Sequence, residues 1–108
     1  MKQVAVIFRR APGGGDREAE AWRNAVGLTA DRENRVTVYV VDAAAPLLRL
    51  ESAGVRRAVE ALVALRHRVV AEAEGLAASG VTCPAGVEVM PRERIWDEVT
   101  ASHAVVAW

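Results

Sequence analysis

One stretch constrains this chain more than any other: KQVAVIFRRAPGGGDREAEAWRNAVGLTAD, running from Lys2 to Asp31. Val4 to Phe8 is a near-continuous apolar run, the pattern of a strand covered on both faces of a parallel sheet. Pro12, Gly13, Gly14 and Gly15 interrupt it, and neither strand nor helix continues through such a sequence. Asp16 then stands where a helix cap belongs, because its carboxylate can accept orphan backbone N–H groups. Ala19, Trp22, Val26 and Thr29 recur at helical spacing and give that helix one face for a core. Strand, glycine loop and helix in this order open an α/β sheet, and in such sheets ligands sit beyond the carboxyl ends of the strands. The loop from Arg9 to Asp16 is therefore the expected floor of a site.

The rest of the chain repeats the alternation. Val36 to Val41 (VTVYVV) is rich in β-branched residues and reads as a strand, with Asp42 at its carboxyl end. Ala43 to Leu50 contains Pro46, Leu47 and Leu48 and reads as a loop or a short helix. Ser52–Gly54 can start the next helix, whose apolar face is Val55, Val59, Leu62 and Val63. Beyond it the pattern forks. One long helix could run on through Val69, Val70, Ala73 and Leu76, as propensity favours. Alternatively Arg68–Ala73 is a third strand and Glu74–Ser79 a short helix. About 25 residues is long for a helix in so small a domain, and the second pattern fits the units that follow. Gly80 reads as a helix stop. Val81–Ala85 is a loop holding Cys83 and Pro84, and Val87–Met90 a strand. Pro91 to Ser102 is a helix with Ile95, Val99 and Ser102 on one face, and His103–Trp108 is a last strand. Five strand–helix alternations predict a single domain over residues 1–108. Its class is α/β: a three-layer α/β/α sandwich on a five-stranded parallel sheet with right-handed crossovers.

Composition narrows the classes of partner. Fourteen basic residues cancel fourteen acidic ones, so the basic footprint of a nucleic-acid binder is missing. A single cysteine, Cys83, excludes an intrachain disulfide and a cysteine-based zinc cage. The first apolar run is too short for a signal sequence or a spanning helix. A soluble cytoplasmic protein, with no membrane partner, is the expectation.

Few residues carry recognisable chemistry. The glycine loop is no P-loop, since GGGDREAE lacks the required lysine and hydroxyl. Gly13 and Gly15 fit the first two positions of a dinucleotide fingerprint, but Glu18 occupies the third. Glycine torsions for a turn are one reading of Pro12, Gly13, Gly14 and Gly15; anion or cofactor binding is the other. Cys83 is the only soft nucleophile, and its neighbours Val81, Thr82, Pro84, Ala85 and Gly86 are all uncharged. His67, His103 and Cys83 are too far apart to suggest a metal site, and no cofactor is expected. Asp42 and Glu72 both fall at carboxyl ends of expected strands and could meet above the sheet as paired carboxylates. Trp96 and Trp108 suit either core packing or a subunit contact.

AVIFRRAPGGGDREAEAWRNAVGLTA, followed by RVTVYVVDAAAPLL and closing on SHAVVAW, resembles the DsrE/DsrF family of sulfur-relay proteins, nearest its TusC/DsrF branch. The shared features are an apolar strand, an Ala-Pro-x-Gly loop, a helix, a VxVxxxD-type strand and a following apolar segment. The resemblance implies a five-stranded parallel sheet between helix layers. It also implies assembly into dimers, trimers or hexamers, with sulfur-relay proteins as partners. It places a persulfide-carrying cysteine just after the third strand of catalytic members. Here that region is VVAEAEGLAASG, with Glu72 near the expected place and no cysteine. A non-catalytic or regulatory member is therefore expected. Two alternatives stand beside it: a small-molecule or nucleotide-binding domain using the glycine loop with Asp42 and Glu72, and a persulfide carrier acting through Cys83.

Overall fold

The computed structural model describes residues 1–10, 16–50 and 53–108. The glycine loop Pro12, Gly13, Gly14 and Gly15, the capping side chain expected at Asp16, and Ser52 at the expected start of a later helix lie outside the described residues. Five strands form one sheet: β1 (Lys2–Arg10), β2 (Asn34–Ala43), β3 (Arg68–Glu72), β4 (Glu88–Met90) and β5 (Ala104–Ala107). Their order across the sheet is β4-β3-β2-β1-β5, and every neighbouring pair is parallel. Four helices connect them: α1 (Asp16–Gly27), α2 (Ala53–Ala64), α3 (Ala73–Ser79) and α4 (Arg92–Thr100). No helix among the described residues is long and apolar enough to cross a membrane.

The pleat sorts the core into two layers. Val4, Val6, Phe8, Val36, Val38, Val40, Val69 and Ala71 point to one face, where Trp22 of α1 and Val55, Val59 and Leu62 of α2 cover them. Ala5, Ile7, Tyr39, Val41, Val70 and Met90 point to the other, under Ile95 and Val99 of α4. Helices on both faces of a parallel sheet make the α/β sandwich that the strand–helix alternation predicts. Each fully buried Val, Leu or Ile contributes about 1.5–3 kcal/mol. The layers are unequal, because α4 alone covers its side.

The ambiguous region resolves as a strand and a short helix. Arg66 takes a left-handed backbone, φ 64°, which stops α2, and β3 begins two residues later. Gly80, φ 68°, ends α3 with its N–H donated to the carbonyl of Leu76. Three sequence-based placements shift. Val63 is 37 % exposed rather than part of the buried face of α2; the face is Val55, Val59 and Leu62, a narrower stripe. The buried face of α1 is centred on Ala21, Trp22 and Ala25, with Ala19 and Val26 at its margins. The last helix ends at Thr100, so Ser102 lies beyond it and its hydroxyl donates to the Glu98 carbonyl at 3.0 Å.

Polar contacts fasten the layers. Arg68 makes a bidentate pair with Glu88 (2.8 and 3.1 Å) and reaches Glu98 at 3.0 Å. Tyr39 donates its hydroxyl to the same Glu98 carboxylate at 2.9 Å. Burial first, and that carboxylate second, push the Tyr39 phenol well above its ordinary value. Both histidines serve the backbone: Nδ1 of His67 accepts the Val36 N–H at 3.0 Å, and Nδ1 of His103 accepts the Gln3 N–H at 2.9 Å. Burial and the nearby Arg35 lower the pKa of His67, which favours the neutral ring that can accept this bond. Among the described residues no group of His, Cys, Asp or Glu is placed to hold a metal ion.

Candidate functional site

Three strands deliver polar residues to the carboxyl rim of the sheet. β1 ends at Arg9 and Arg10, β2 at Asp42, and β3 at Glu72. The turn from β4 into α4 adds Arg92. Asp42 has a left-handed backbone, φ 50°. Its N–H is donated to Oε1 of Glu72 at 3.2 Å. The two carboxylates singled out in the sequence therefore do meet above the sheet.

Arg92 sits between them. Its Nε donates to Oε2 of Glu72 at 2.9 Å, and its Nη2 donates to Oδ1 of Asp42 at 2.9 Å and to Oε1 of Glu72 at 3.2 Å. Its backbone N–H is donated to the carboxylate of Glu74 at 3.1 and 3.2 Å. Arg9 closes the far side, with Nε 3.2 Å from Oδ2 of Asp42. Hydrogen bonding to Glu72, and then its charge, holds the Arg92 guanidinium firmly protonated. Glu72 is 1 % exposed, and a buried carboxylate persists only with such partners. Gly75 leaves room for it. A Cβ there would stand 3.0 Å from the Asp42 carbonyl oxygen and 3.3 Å from Oε1 of Glu72.

Both oxygens of Glu72 and both of Asp42 accept guanidinium donors; Glu72 is buried with these partners, whereas Asp42 stays a third exposed. Sequence reasoning placed Arg9 at the start of the expected floor but did not find Arg92. The available signal was positional: an arginine at a strand-to-helix turn of a parallel sheet lies on the same rim as every other strand end.

Removing Arg92 strands the buried Glu72 charge. Arg92→Met is expected to lower the melting temperature clearly, and a second substitution, Glu72→Leu, to recover most of the loss. Leucine at 72 removes the one buried charge of the pair, the charge that half-exposed Arg92 otherwise offsets. Thermal melts of the two single variants and the double variant check this; additive losses would mean that the two side chains are not coupled.

Cys83 takes no part in the cluster. It lies in segment 80–87, leading into the amino end of β4, and packs against the α1–α2 side of the core. Its thiol faces the carbonyls of Val87 (3.5 Å) and Pro84 (3.7 Å). The fold brings Arg49 and Arg56 to the same shallow depression. Burial nevertheless pushes the thiol pKa up. Trp22 is core, whereas Trp96 is 36 % and Trp108 51 % exposed.

The chain matches no protein-family model. No curated protein matches it either. Solved structures do. It is similar to the ychN protein from E. coli, with 18 % identity, a TM-score of 0.83 and 100 % of both chains covered. It is also similar to MTH1491 from Methanobacterium thermoautotrophicum, described as a protein of unknown function. There the identity is 23 %, the TM-score 0.79 and the coverage again 100 % of both chains. At these identities the shared property is the fold, spanning each chain from end to end.

Proposed function

We propose that this chain is a homo-oligomeric, cytoplasmic member of the DsrE/DsrF-like sulfur-relay group that does not itself carry persulfide. The resemblance implies a five-stranded parallel sheet between helix layers, and that is the fold present. It also implies a persulfide-bearing cysteine just after the third strand of catalytic members. The observation that carries the proposal is what stands there instead: Glu72, a buried carboxylate held by Arg92. Transfer of a sulfane sulfur begins when a thiolate attacks the outer sulfur of a donor persulfide and the donor thiolate leaves. That attack needs an exposed thiol of lowered pKa. Cys83 is partly buried with a raised pKa, so it does not substitute. The partners of such a subunit are the persulfide-bearing proteins of the relay, organised by this chain rather than resulfurated by it.

The test is to incubate the protein with a cysteine desulfurase and cysteine and to weigh it by mass spectrometry. The expected spectrum shows no stoichiometric added sulfur. An added sulfur that disappears in Cys83→Ser and passes to an acceptor protein would overturn the proposal in favour of a persulfide carrier.

Self-association is supported by the thinner face. Val105 pairs with Ala5 and so lies on the α4 side, where it is 51 % exposed. Trp96 on α4 itself is also exposed. Light scattering at micromolar concentration is expected to give at least a dimer mass, with closed symmetry as the default. A monomer mass would remove this part of the proposal.

A further inference from the structure

The strand order reverses at β1, which has β2 on one side and β5 on the other. The crossover from β1 to β2 passes α1 on one face, and that from β4 to β5 passes α4 on the opposite face. The gap above the carboxyl ends of β1 and β5 is therefore the topological switch point, where open α/β sheets hold their ligands. Trp108 stands at its edge, fixed by its N–H donating to the Ile7 carbonyl at 2.9 Å.

A cavity of about 380 Å³ opens there. Its floor is apolar, made by the buried Phe8 and Leu47 with Ala21 of α1. Trp108 forms a wall. Arg10 and Arg17 also line it, against one carboxylate, Glu20. A second depression, of about 530 Å³, shares Arg10 and Trp108 and continues past Arg9 toward Asp42. Among the described residues, Arg9 is paired with Asp42, whereas Arg10 and Arg17 make no ion pair. The cleft thus combines an apolar floor, an aromatic wall and two uncommitted guanidinium groups. A pocket of this size and lining suits a small, largely apolar molecule oriented by a few polar groups. Guanidinium groups add a preference for a planar or tetrahedral oxyanion, and a carboxylate is the one compatible with a largely apolar ligand, bound by paired, charge-assisted hydrogen bonds.

We propose that this cleft binds a small aromatic carboxylate, with its ring against Trp108 and the Phe8–Leu47 floor and its carboxylate on Arg10 and Arg17. The residues that would hold the ligand are not those of the Arg92 cluster, and the proposal is independent of any sulfur chemistry, so the outcome of persulfide loading does not bear on it.

The experiment is calorimetric titration of the full chain with 2-naphthoate and with its neutral counterpart, 2-naphthalenemethanol. Saturable one-site binding of the acid is expected, with the alcohol at least about tenfold weaker. Arg10→Gln and Arg17→Gln should each weaken naphthoate by about tenfold or more, and Trp108→Ala should abolish it. All three side chains are peripheral to the core, and the exposed Arg57→Gln control should bind as the parent does. No saturable binding at millimolar naphthoate, equal binding of acid and alcohol, or indifference to the two arginine substitutions would each overturn the proposal. So would a parent chain that fails to bind naphthoate while Trp108→Ala converts an oligomer to a monomer, because the cleft would then be a subunit contact.

Discussion

Ile7→Asp is expected to abolish folding. Ile7 sits in the middle of β1, between Tyr39 of β2 and Ala107 of β5, and is almost wholly buried in the layer beneath α4. An unpaired carboxylate at such a position costs several kcal/mol, after relaxation and water penetration are allowed for. The stability of an ordinary domain is only about 5–15 kcal/mol. The variant should be recovered as aggregated or unfolded protein without a cooperative thermal transition by circular dichroism. Ile7→Val, which loses one methylene, should still melt cooperatively after a loss of about 0.5–1.5 kcal/mol. A soluble, cooperatively melting Ile7→Asp protein would show that β1 is not the covered centre of the sheet.

Trp22→Ala should be the most damaging truncation in the opposite layer, at about 3–5 kcal/mol in urea denaturation. Trp22 is the largest fully buried side chain, wedged between α1 and the sheet. Its ring meets Phe8 edge-on, with centroids 5.1 Å apart and planes at 88°, the geometry that aromatic quadrupoles favour. Its indole N–H has no acceptor among the described residues. An unsatisfied buried donor is itself destabilising by about 1–3 kcal/mol. Trp22→Phe keeps the aromatic contact and removes that donor, so its loss should fall well below that of Trp22→Ala. Equal losses for the two variants would overturn the reading of the ring and its edge-on contact with Phe8 as the main contribution.

What was legible follows from which forces are local. The Val36–Val41 run announces a strand because β-branched residues fit a pleated, doubly covered surface. The strand at Arg68–Glu72 was recoverable against its helical propensity because the neighbouring units alternate, a constraint that no single window contains. Helix faces were right in kind and shifted in phase. Val63 reads as core by spacing yet stands 37 % exposed, because the stripe of α2 that meets the sheet is only Val55, Val59 and Leu62, and Val63 turns to its margin beside Gly86. The rim was half legible. Asp42 and Glu72 were identifiable because strand ends converge, whereas Arg92 opens a helix, and only its place after the β4 strand end, not its own residue type, puts it on the same rim. Cys83 kept its isolation from the rim, but the arginines around its depression come from α2 and the segment before it, which no local reading of its neighbours could supply.

The pairing of β1 with β5 also has a mechanical consequence. These strands run parallel, so the start of β1 and the end of β5 lie at opposite rims of the sheet. Tension applied between Lys2 and Trp108 therefore runs along the strands and shears them past each other. Parallel ladders carry evenly spaced bonds, and in shear those bonds share the load at once instead of opening one after another as a zipper does. The bonds from His103 to Gln3 and from Trp108 to Ile7 extend that ladder beyond the two ends of β5. An edge strand held on one side only is thus loaded along its whole ladder by a pull between Lys2 and Trp108.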